Sequence, residues 1–158
     1  MLKKLVWGIA AVTVAFSVYA QKPAVKKPAA KSKLVVPSVA TYLANTSMSG
    51  GMIGKRTFDS LIRRGISARD SAGKAWKVQG FQFTYAERGI YEDSVGNAIM
   101  TTDYLTEYCF GDTLSRNISL ILPSKTKPGD TVFVERVKVI RPAGGEAVGK
   151  PMRFILTR

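Results

Sequence analysis

The sequence predicts a mainly β domain with one or two short helices, preceded by a signal peptide and a disordered linker. Three observations support this: apolar and polar residues alternate in several short runs, β-branched residues dominate the longest run, and glycine-containing turns separate the runs. The last 120 residues or so are enough for one core. We divide the chain into a signal peptide at residues 1–20, a Lys/Pro/Ala-rich linker at 21–38 and a β domain at 39–158.

Residues 1–20 have the pattern of a secretory signal peptide. Lys3 and Lys4 form a charged start, residues 5–17 an apolar middle, and the final Val-Tyr-Ala a small-x-small-like cleavage site. An apolar run of about 16 residues is shorter than the ~20 that span a bilayer, so we favour cleavage over retention as an anchor. This predicts a periplasmic or secreted protein that begins near Gln21.

The tract QKPAVKKPAAKSK at residues 21–33 contains too few apolar residues to fold, and its prolines favour an extended conformation. It is predicted to be a tether. We favour a solvated spacer, and the alternative is a contact between this basic linker and an anionic envelope surface.

The net charge of +13 is unevenly distributed. Two of the 24 basic residues lie in the first four positions and five more in the linker, so 17 remain against all 11 acidic residues. A nucleic-acid-binding protein usually concentrates basic residues on a folded face with stacking aromatics. This distribution argues against nucleic acid as a partner.

The chain contains no histidine and one cysteine. Without histidine it lacks the usual general base, the commonest zinc and copper ligand, and every Ser-His or Cys-His nucleophile pair. Cys109 lies between Tyr108 and Phe110, which is typical of a buried strand residue, and it has no partner for an internal disulfide. We expect no catalytic, cofactor-binding or metal-binding residues and no enzyme activity; carboxylate-based catalysis is the least favoured alternative.

Short strands are predicted at residues 39–43 and 52–53, where Gly50 and Gly51 allow positive φ or close backbone contact. A helix at residues 55–64 follows, with Thr57 as its candidate N-cap and its end at Gly65. Its apolar residues have helical spacing: Phe58, Leu61 and Ile62.

A hairpin is predicted from residues 66–69 and 75–85, around a polar turn at 70–73. The apolar pattern of the second strand changes parity at Gly80, which predicts a bulge there. The buried face is expected to move from Trp76 and Val78 to Phe81 and Phe83.

Residues 87–100 contain three turn-forming residues and are predicted to be an irregular hairpin or loop. Since binding residues favour loops on a rigid scaffold, this is our first candidate for a partner-binding segment.

The period-2 pattern at residues 103–110 predicts a strand with an aromatic line of Tyr104, Tyr108 and Phe110. We assign these aromatics to the core; the alternative is a carbohydrate-stacking platform that includes Trp76.

A short helix or buried turn is expected at residues 115–122, with Ser115 as its potential cap and its end before Pro123. The last strand is expected at residues 152–156, with Met152, Phe154 and Leu156 on one face.

The segment KPGDTVFVERVKVIR at residues 127–141 predicts the central strand. Pro128 and Gly129 favour a chain reversal, and the β-branched run after them is too apolar for a surface strand. Charged residues interrupt the run, so we expect one fully buried face and a bulge or bend near Glu135.

Over roughly residues 40–158, three segments resemble the C-terminal periplasmic domain of the GldM/PorM family, the motor-linked component of gliding motility and type IX secretion in Bacteroidota. They are Gly50-Gly51-Met52-Ile53 followed by residues 58–61; Gly80-Phe81-Gln82-Phe83; and Lys127-Pro128-Gly129-Asp130 running through residues 137–139 to the ending Lys150-Pro151-Met152-Arg153-Phe154.

This resemblance implies an immunoglobulin-like β-sandwich that acts by protein contact, with envelope partners such as secretion-system ring components. The chain has no counterpart of the family's transmembrane helix, stalk and preceding β domains, so energy transduction is not expected. A homo-oligomer and a carbohydrate or cell-wall binding module stay open as alternatives. No residue-level partner site follows from the resemblance, because the matched positions have the character of turn and core residues.

Overall fold

The computed structural model describes residues 39–158; the predicted signal peptide and linker lie outside this part of the chain. Within it the prediction of a mainly β domain with short helices is confirmed. The elements in chain order are β1 (Ala40–Leu43), β2 (Gly51–Gly54), α1 (Lys55–Ile62), β3 (Ile66–Arg69), β4 (Ala75–Glu92), β5 (Ala98–Phe110), α2 (Arg116–Lys125), β6 (Thr131–Ile140), β7 (Glu146–Val148) and β8 (Met152–Thr157).

The strands form one curled sheet around the central pair β4 and β6, in the order β1-β3-β4-β6-β8-β2. Strand β4 pairs with β6 along one edge and with β3 and β5 along the other. Strand β6 pairs with β7 and β8 along its second edge. Adjacent strands are antiparallel except β2 and β8, which are parallel. The segment at residues 127–141 therefore supplies a central strand, as predicted.

Bulges in both central strands bend the sheet at the same level. The β4–β6 register shifts on both sides of Gly80, and Arg136 in the opposite strand has a positive φ of 50°. An extra residue in one strand of an antiparallel pair bends the strand and changes which face its side chains occupy. Both predicted bulges are confirmed. The buried residues of β4 are Trp76 and Val78 before the bulge and Phe81 and Phe83 after it.

The curl brings the edge strand β1 against the segment that follows β7. Val39 forms a parallel bridge with Gly149, and the Lys150 amide donates to the Val39 carbonyl at 2.8 Å. A Cβ on Gly149 would lie 2.5 Å from the Thr41 side chain, so only glycine permits this approach. The close contact fixes how far the sheet curls at this end.

Both helices contribute to one hydrophobic core. The Phe58 ring of α1 lies 5.8 Å from that of Phe154, and Ile118 and Leu122 of α2 are buried in the same cluster. The core face of β6 is fully buried at Val132, Val134, Val137 and Val139, as predicted. Met152, Phe154 and Leu156 of β8 lie on one face, as predicted, and are buried there.

The predicted N-cap of α1 is wrong. Gly54 occupies that position, and Thr57 lies inside the helix. A glycine has no side chain that could mark the helix start, so the sequence pattern favours the next hydroxyl residue instead.

The predicted end of α2 before Pro123 is also wrong. Ser115 does cap the helix, and its hydroxyl accepts from the Ile118 amide at 3.2 Å. The helix then continues through Pro123 to Lys125, and the Thr126 amide closes its last turn on the Leu122 carbonyl. Proline has no amide hydrogen, so the helix continues without the bond that residue 123 would otherwise donate to the Ser119 carbonyl.

Candidate interaction surface on the β4–β5 hairpin

The longest feature of the domain is the hairpin formed by β4 and β5. Its ladder continues without a register shift from the pair Gly80 and Phe110 to the pair Glu92 and Ala98. Of the irregular hairpin or loop predicted at residues 87–100, the hairpin is confirmed and the irregularity is wrong. This segment is the regular outer end of a hairpin, and it lacked an alternating pattern because most of its residues are exposed on both faces.

The hairpin turn is built around Asp93. Its carboxylate accepts hydrogen bonds from the backbone amides of Val95 at 3.0 Å and Asn97 at 2.8 Å. These bonds, with that from the Asn97 amide first, hold the pKa of Asp93 below its usual range. Gly96 completes the turn with a φ of 87°. The hairpin thus has a fixed end.

The register divides the side chains of β5 between two faces. Odd-numbered residues lie on the core face, where Cys109 and Leu105 stand opposite Phe81 and Tyr85. Even-numbered residues lie on the opposite face, which we call the outer face. Its β5 residues are Met100, Thr102, Tyr104, Thr106, Tyr108 and Phe110.

The aromatic line predicted to be core is exposed on this outer face. The exposed fractions are 69% for Tyr104, 38% for Tyr108 and 83% for Phe110, whereas that of Trp76 is 9%. The assignment to the core is wrong because alternation identifies a strand without saying which face is covered. The inclusion of Trp76 in the alternative carbohydrate platform is also wrong, since Trp76 is buried in the core cluster.

Gly80 allows one of these aromatics to pack across the sheet. A Cβ at Gly80 would lie 2.6 Å from the Tyr108 hydroxyl and 2.8 Å from the Cys109 carbonyl. The Tyr108 ring is also packed edge-on against Phe110, with 5.1 Å between ring centroids. Glycine at the bulge therefore positions an aromatic pair on the outer face, in addition to its role in the bend.

Exposed apolar residues are concentrated on the hairpin. Of the 11 large hydrophobic residues that are exposed in the described residues, eight belong to it: Ile90, Tyr91, Val95, Ile99, Met100, Tyr104, Tyr108 and Phe110. Ile90, Met100, Tyr104, Tyr108 and Phe110 share the outer face, and exposed apolar residues grouped on one face are more typical of an interaction site than isolated ones. The hairpin is therefore the best candidate for a binding surface.

The charge of the hairpin is opposite to that of the rest of the domain. Residues 87–107 contain five of the 11 acidic residues and one basic residue, Arg88. Glu87 is paired with Lys127 at 2.6 Å and approached by Lys125 at 3.8 Å. Asp103 and Glu107 form no ion pair with any residue the structure describes. An acidic strand on a basic domain favours partners with positive charge.

A buried hydrogen-bond network anchors the base of the hairpin. The Asp130 carboxylate is 1% exposed and accepts from the Tyr85 hydroxyl, the Arg88 amide at 2.9 Å and the Lys127 amide at 2.8 Å. Burial, together with the bond to Asp130, raises the pKa of Tyr85 far above its usual value. The network connects β4 to the turn before β6.

That turn is of type II. The Asp130 amide donates to the Lys127 carbonyl, and Gly129 has a φ of 97° at the third position. The Gly129 amide also donates to the Leu156 carbonyl at 2.8 Å. Hydrogen bonds therefore link the base of the hairpin to β6 and β8, which hold it in place.

Outside the hairpin, the described residues contain few groupings of side chains that could bind a ligand or a metal ion. A cleft of about 360 Å³ lies beside β3, the start of β4 and the turn after β1, and its charged lining residues are Arg64, Arg69, Lys77 and Asp112. Residues 39–158 contain no cluster of three His, Cys, Asp or Glu side chains that could hold a metal ion. Neither helix in this part of the chain is long and apolar enough to cross a membrane.

Cys109 is buried, as predicted. Burial raises the pKa of its thiol, which keeps it in the neutral and less reactive form.

No protein-family model matches this chain, and no curated protein is significantly similar to it in sequence. The resemblance to the GldM/PorM family therefore stays a prediction, and the candidate site stands on its geometry.

Proposed function

We propose that this chain is an exported, non-enzymatic protein-interaction module of the cell envelope that works with type IX secretion or gliding motility. The observation that carries the interaction part is the concentration of eight exposed apolar residues on the β4–β5 hairpin. Covering apolar surface contributes roughly 25 cal/mol per Å², so a partner gains free energy by binding there. The signal-peptide pattern and the order of the three family-like segments support the envelope setting.

The proposal includes an immunoglobulin-like β-sandwich. Such a fold needs two layers of strands that face each other across a core. The paired bulges at Gly80 and Arg136 and the contact of β1 with residues 149–150 support this arrangement, because they turn one part of the sheet towards another. Its partners are envelope proteins, with ring components of the secretion system as the first candidates.

The test is affinity purification of the tagged protein from envelopes after mild crosslinking. We expect recovery of a secretion or motility component with the wild type and its loss with Tyr104→Ser/Phe110→Ser. The matched control is Leu120→Ser/Val148→Ser, which removes two exposed apolar residues outside the hairpin and should leave recovery unchanged. If the wild type recovers no such component, the proposed function is wrong. If both variants recover it equally, the hairpin is not the site.

Carbohydrate binding is a second candidate, favoured by the exposed aromatics. Tyr104, Tyr108 and Phe110 lie on one face of one strand, where sugar rings could stack on them. Peptidoglycan pull-down and glycan-array binding that disappear with Tyr108→Ala and persist with Leu120→Ala would establish it. An absence of binding by the wild type would eliminate it.

A further inference from the structure

Strand β5 has a free edge, and the register shows which of its residues face it. The Gly111 amide donates to the Gln79 carbonyl at 2.7 Å, and the Asp93 amide donates to the Asn97 carbonyl at 2.9 Å. Both pairs extend the β4–β5 register, in which hydrogen-bonded and non-hydrogen-bonded pairs alternate. Odd-numbered residues of β5 therefore bond to β4. The even-numbered ones direct their amide and carbonyl groups away from it.

A side-chain contact supports this assignment. The hydroxyls of Thr84 and Thr106 lie 3.0 Å apart across the ladder. Side chains are closer in non-hydrogen-bonded pairs, and Thr106 is even-numbered. Among the described residues, no strand pairs with the second edge of β5. Thr102, Tyr104, Thr106 and Tyr108 thus present a row of hydrogen-bonding groups to a further strand.

The edge lacks the features that usually prevent strand addition. Natural edge strands are commonly short, bulged, or protected by lysine or proline. Strand β5 has 13 residues, pairs without a register shift and contains no lysine, arginine or proline. Its charged residues are Asp103 and Glu107. An edge of this length with only negative charges is open to a strand of the opposite charge.

The two faces of β5 specify the side chains of that strand. Asp103 and Glu107 lie on one face, four residues and about 13 Å apart along the strand. Tyr104 and Tyr108 lie on the other. Since cross-strand neighbours share a face, the added strand should carry basic residues on the first face and apolar residues on the second.

We propose that the free edge of β5 accepts an extended segment of a partner protein in which basic and apolar residues alternate. The segment forms main-chain hydrogen bonds with the even-numbered residues of β5. Its basic side chains face Asp103 and Glu107, and its apolar side chains cover Tyr104 and Tyr108. This inference rests on the proposed interaction function and names the surface and the chemistry of the partner.

Two other occupants fit less well. Antiparallel pairing of β5 with β5 of a second copy places Asp103 and Glu107 of both copies on one face, and like charges are directly opposite, which is destabilising, when position 103 pairs with position 107. The chain's own basic tract at residues 21–33 contains Pro23 and Pro28, which have no amide hydrogen to donate to a ladder.

The test uses purified protein and three synthetic peptides: a capped octapeptide of alternating lysine and valine, its glutamate-valine counterpart, and the tract QKPAVKKPAAKSK. Isothermal titration calorimetry measures affinity, and amide hydrogen exchange locates the binding. We expect the lysine-valine peptide to bind at least tenfold more tightly than the other two. It should slow exchange at the amides of Thr102, Tyr104, Thr106 and Tyr108.

Three variants complete the design. Asp103→Lys/Glu107→Lys should reverse the preference between the lysine and glutamate peptides, and the exposed control Glu146→Lys should leave it unchanged. Thr102→Pro removes one outward amide without touching the β4 ladder and should weaken binding about tenfold. Circular dichroism checks that each variant folds; if Thr102→Pro does not, the charge-reversal pair decides.

Equal binding of all three peptides would overturn the inference, since it would show that neither the charge nor the alternation of the peptide is recognised. Unchanged exchange at the four amides would also overturn it. So would protection of the same amides by protein concentration alone, which would make a second copy the occupant. If envelope partners are recovered in the crosslinking experiment but the peptide-binding test fails, the proposed function stands and only strand addition at the edge of β5 is rejected.

Discussion

Replacing Asp130 with alanine should destabilise the domain strongly, because one carboxylate satisfies three donors. The variant leaves the Tyr85 hydroxyl and the Arg88 and Lys127 amides without this acceptor. A hydrogen bond to a charged group contributes about 1.5–3 kcal/mol. The three losses share one site and are not additive, so we expect a total loss of about 3–5 kcal/mol in the free energy of unfolding.

The measurement is urea denaturation followed by fluorescence or circular dichroism. The matched control is Asp112→Ala, an exposed carboxylate with no ion pair among the described residues, which should change stability by less than about 0.5 kcal/mol. Tyr85→Phe and the double variant with Asp130→Ala complete a cycle, in which we expect a coupling of at least about 1 kcal/mol. A loss for Asp130→Ala no larger than that of the control would refute the argument that this network anchors the hairpin.

Three further predictions follow from the described contacts. Gly80→Ala should lower the free energy of unfolding by about 1–3 kcal/mol, because the new Cβ clashes with the Tyr108 hydroxyl and the Cys109 carbonyl. The control Gly89→Ala should lower it by less, and thermal unfolding of the two variants measures the difference. Because burial raises the pKa of Tyr85, its contribution to the free energy of unfolding is complete below pH 10 and is lost above it, where only the unfolded chain releases the phenol proton. Above pH 10 the free energy of unfolding should fall by up to about 1.4 kcal/mol per pH unit, and by less in Tyr85→Phe. The same pH dependence of the free energy of unfolding in both proteins would contradict this. Cys109 should react with a thiol reagent only at the rate of unfolding, and rapid labelling of the native protein would show that it is accessible.

The sequence was most informative where local chemistry and burial agree. The bulge at Gly80 was predictable because the apolar residues change parity there, from Val78 to Phe81. The turn at Pro128 and Gly129 was predictable because a type II turn has specific residue requirements. In these places the same residue pattern indicates both the backbone conformation and which face of the strand is buried.

The candidate site was only partly predictable. Residues 87–100 belong both to the predicted binding segment and to the candidate surface, but their regular pairing could not be predicted because a hairpin exposed on both faces has no apolar alternation. The face of the aromatic line at Tyr104 and Tyr108 could not be predicted, because period 2 identifies a strand and leaves open which face is covered.

Strand β7 could not be predicted from the sequence either. With three residues it is too short to produce a pattern. Its pairing with β6 depends on tertiary contacts that local sequence does not encode.

The central claim is that the outer face of the β4–β5 hairpin contacts an envelope protein. The most direct measurement is photo-crosslinking in intact cells, with a photoreactive amino acid placed at Tyr104 in one strain and at Leu120 in another, since both side chains are exposed. We predict a discrete crosslinked product from position 104 that contains an envelope protein, and none from position 120. The same product from both positions, or a product from position 120 alone, would contradict the claim.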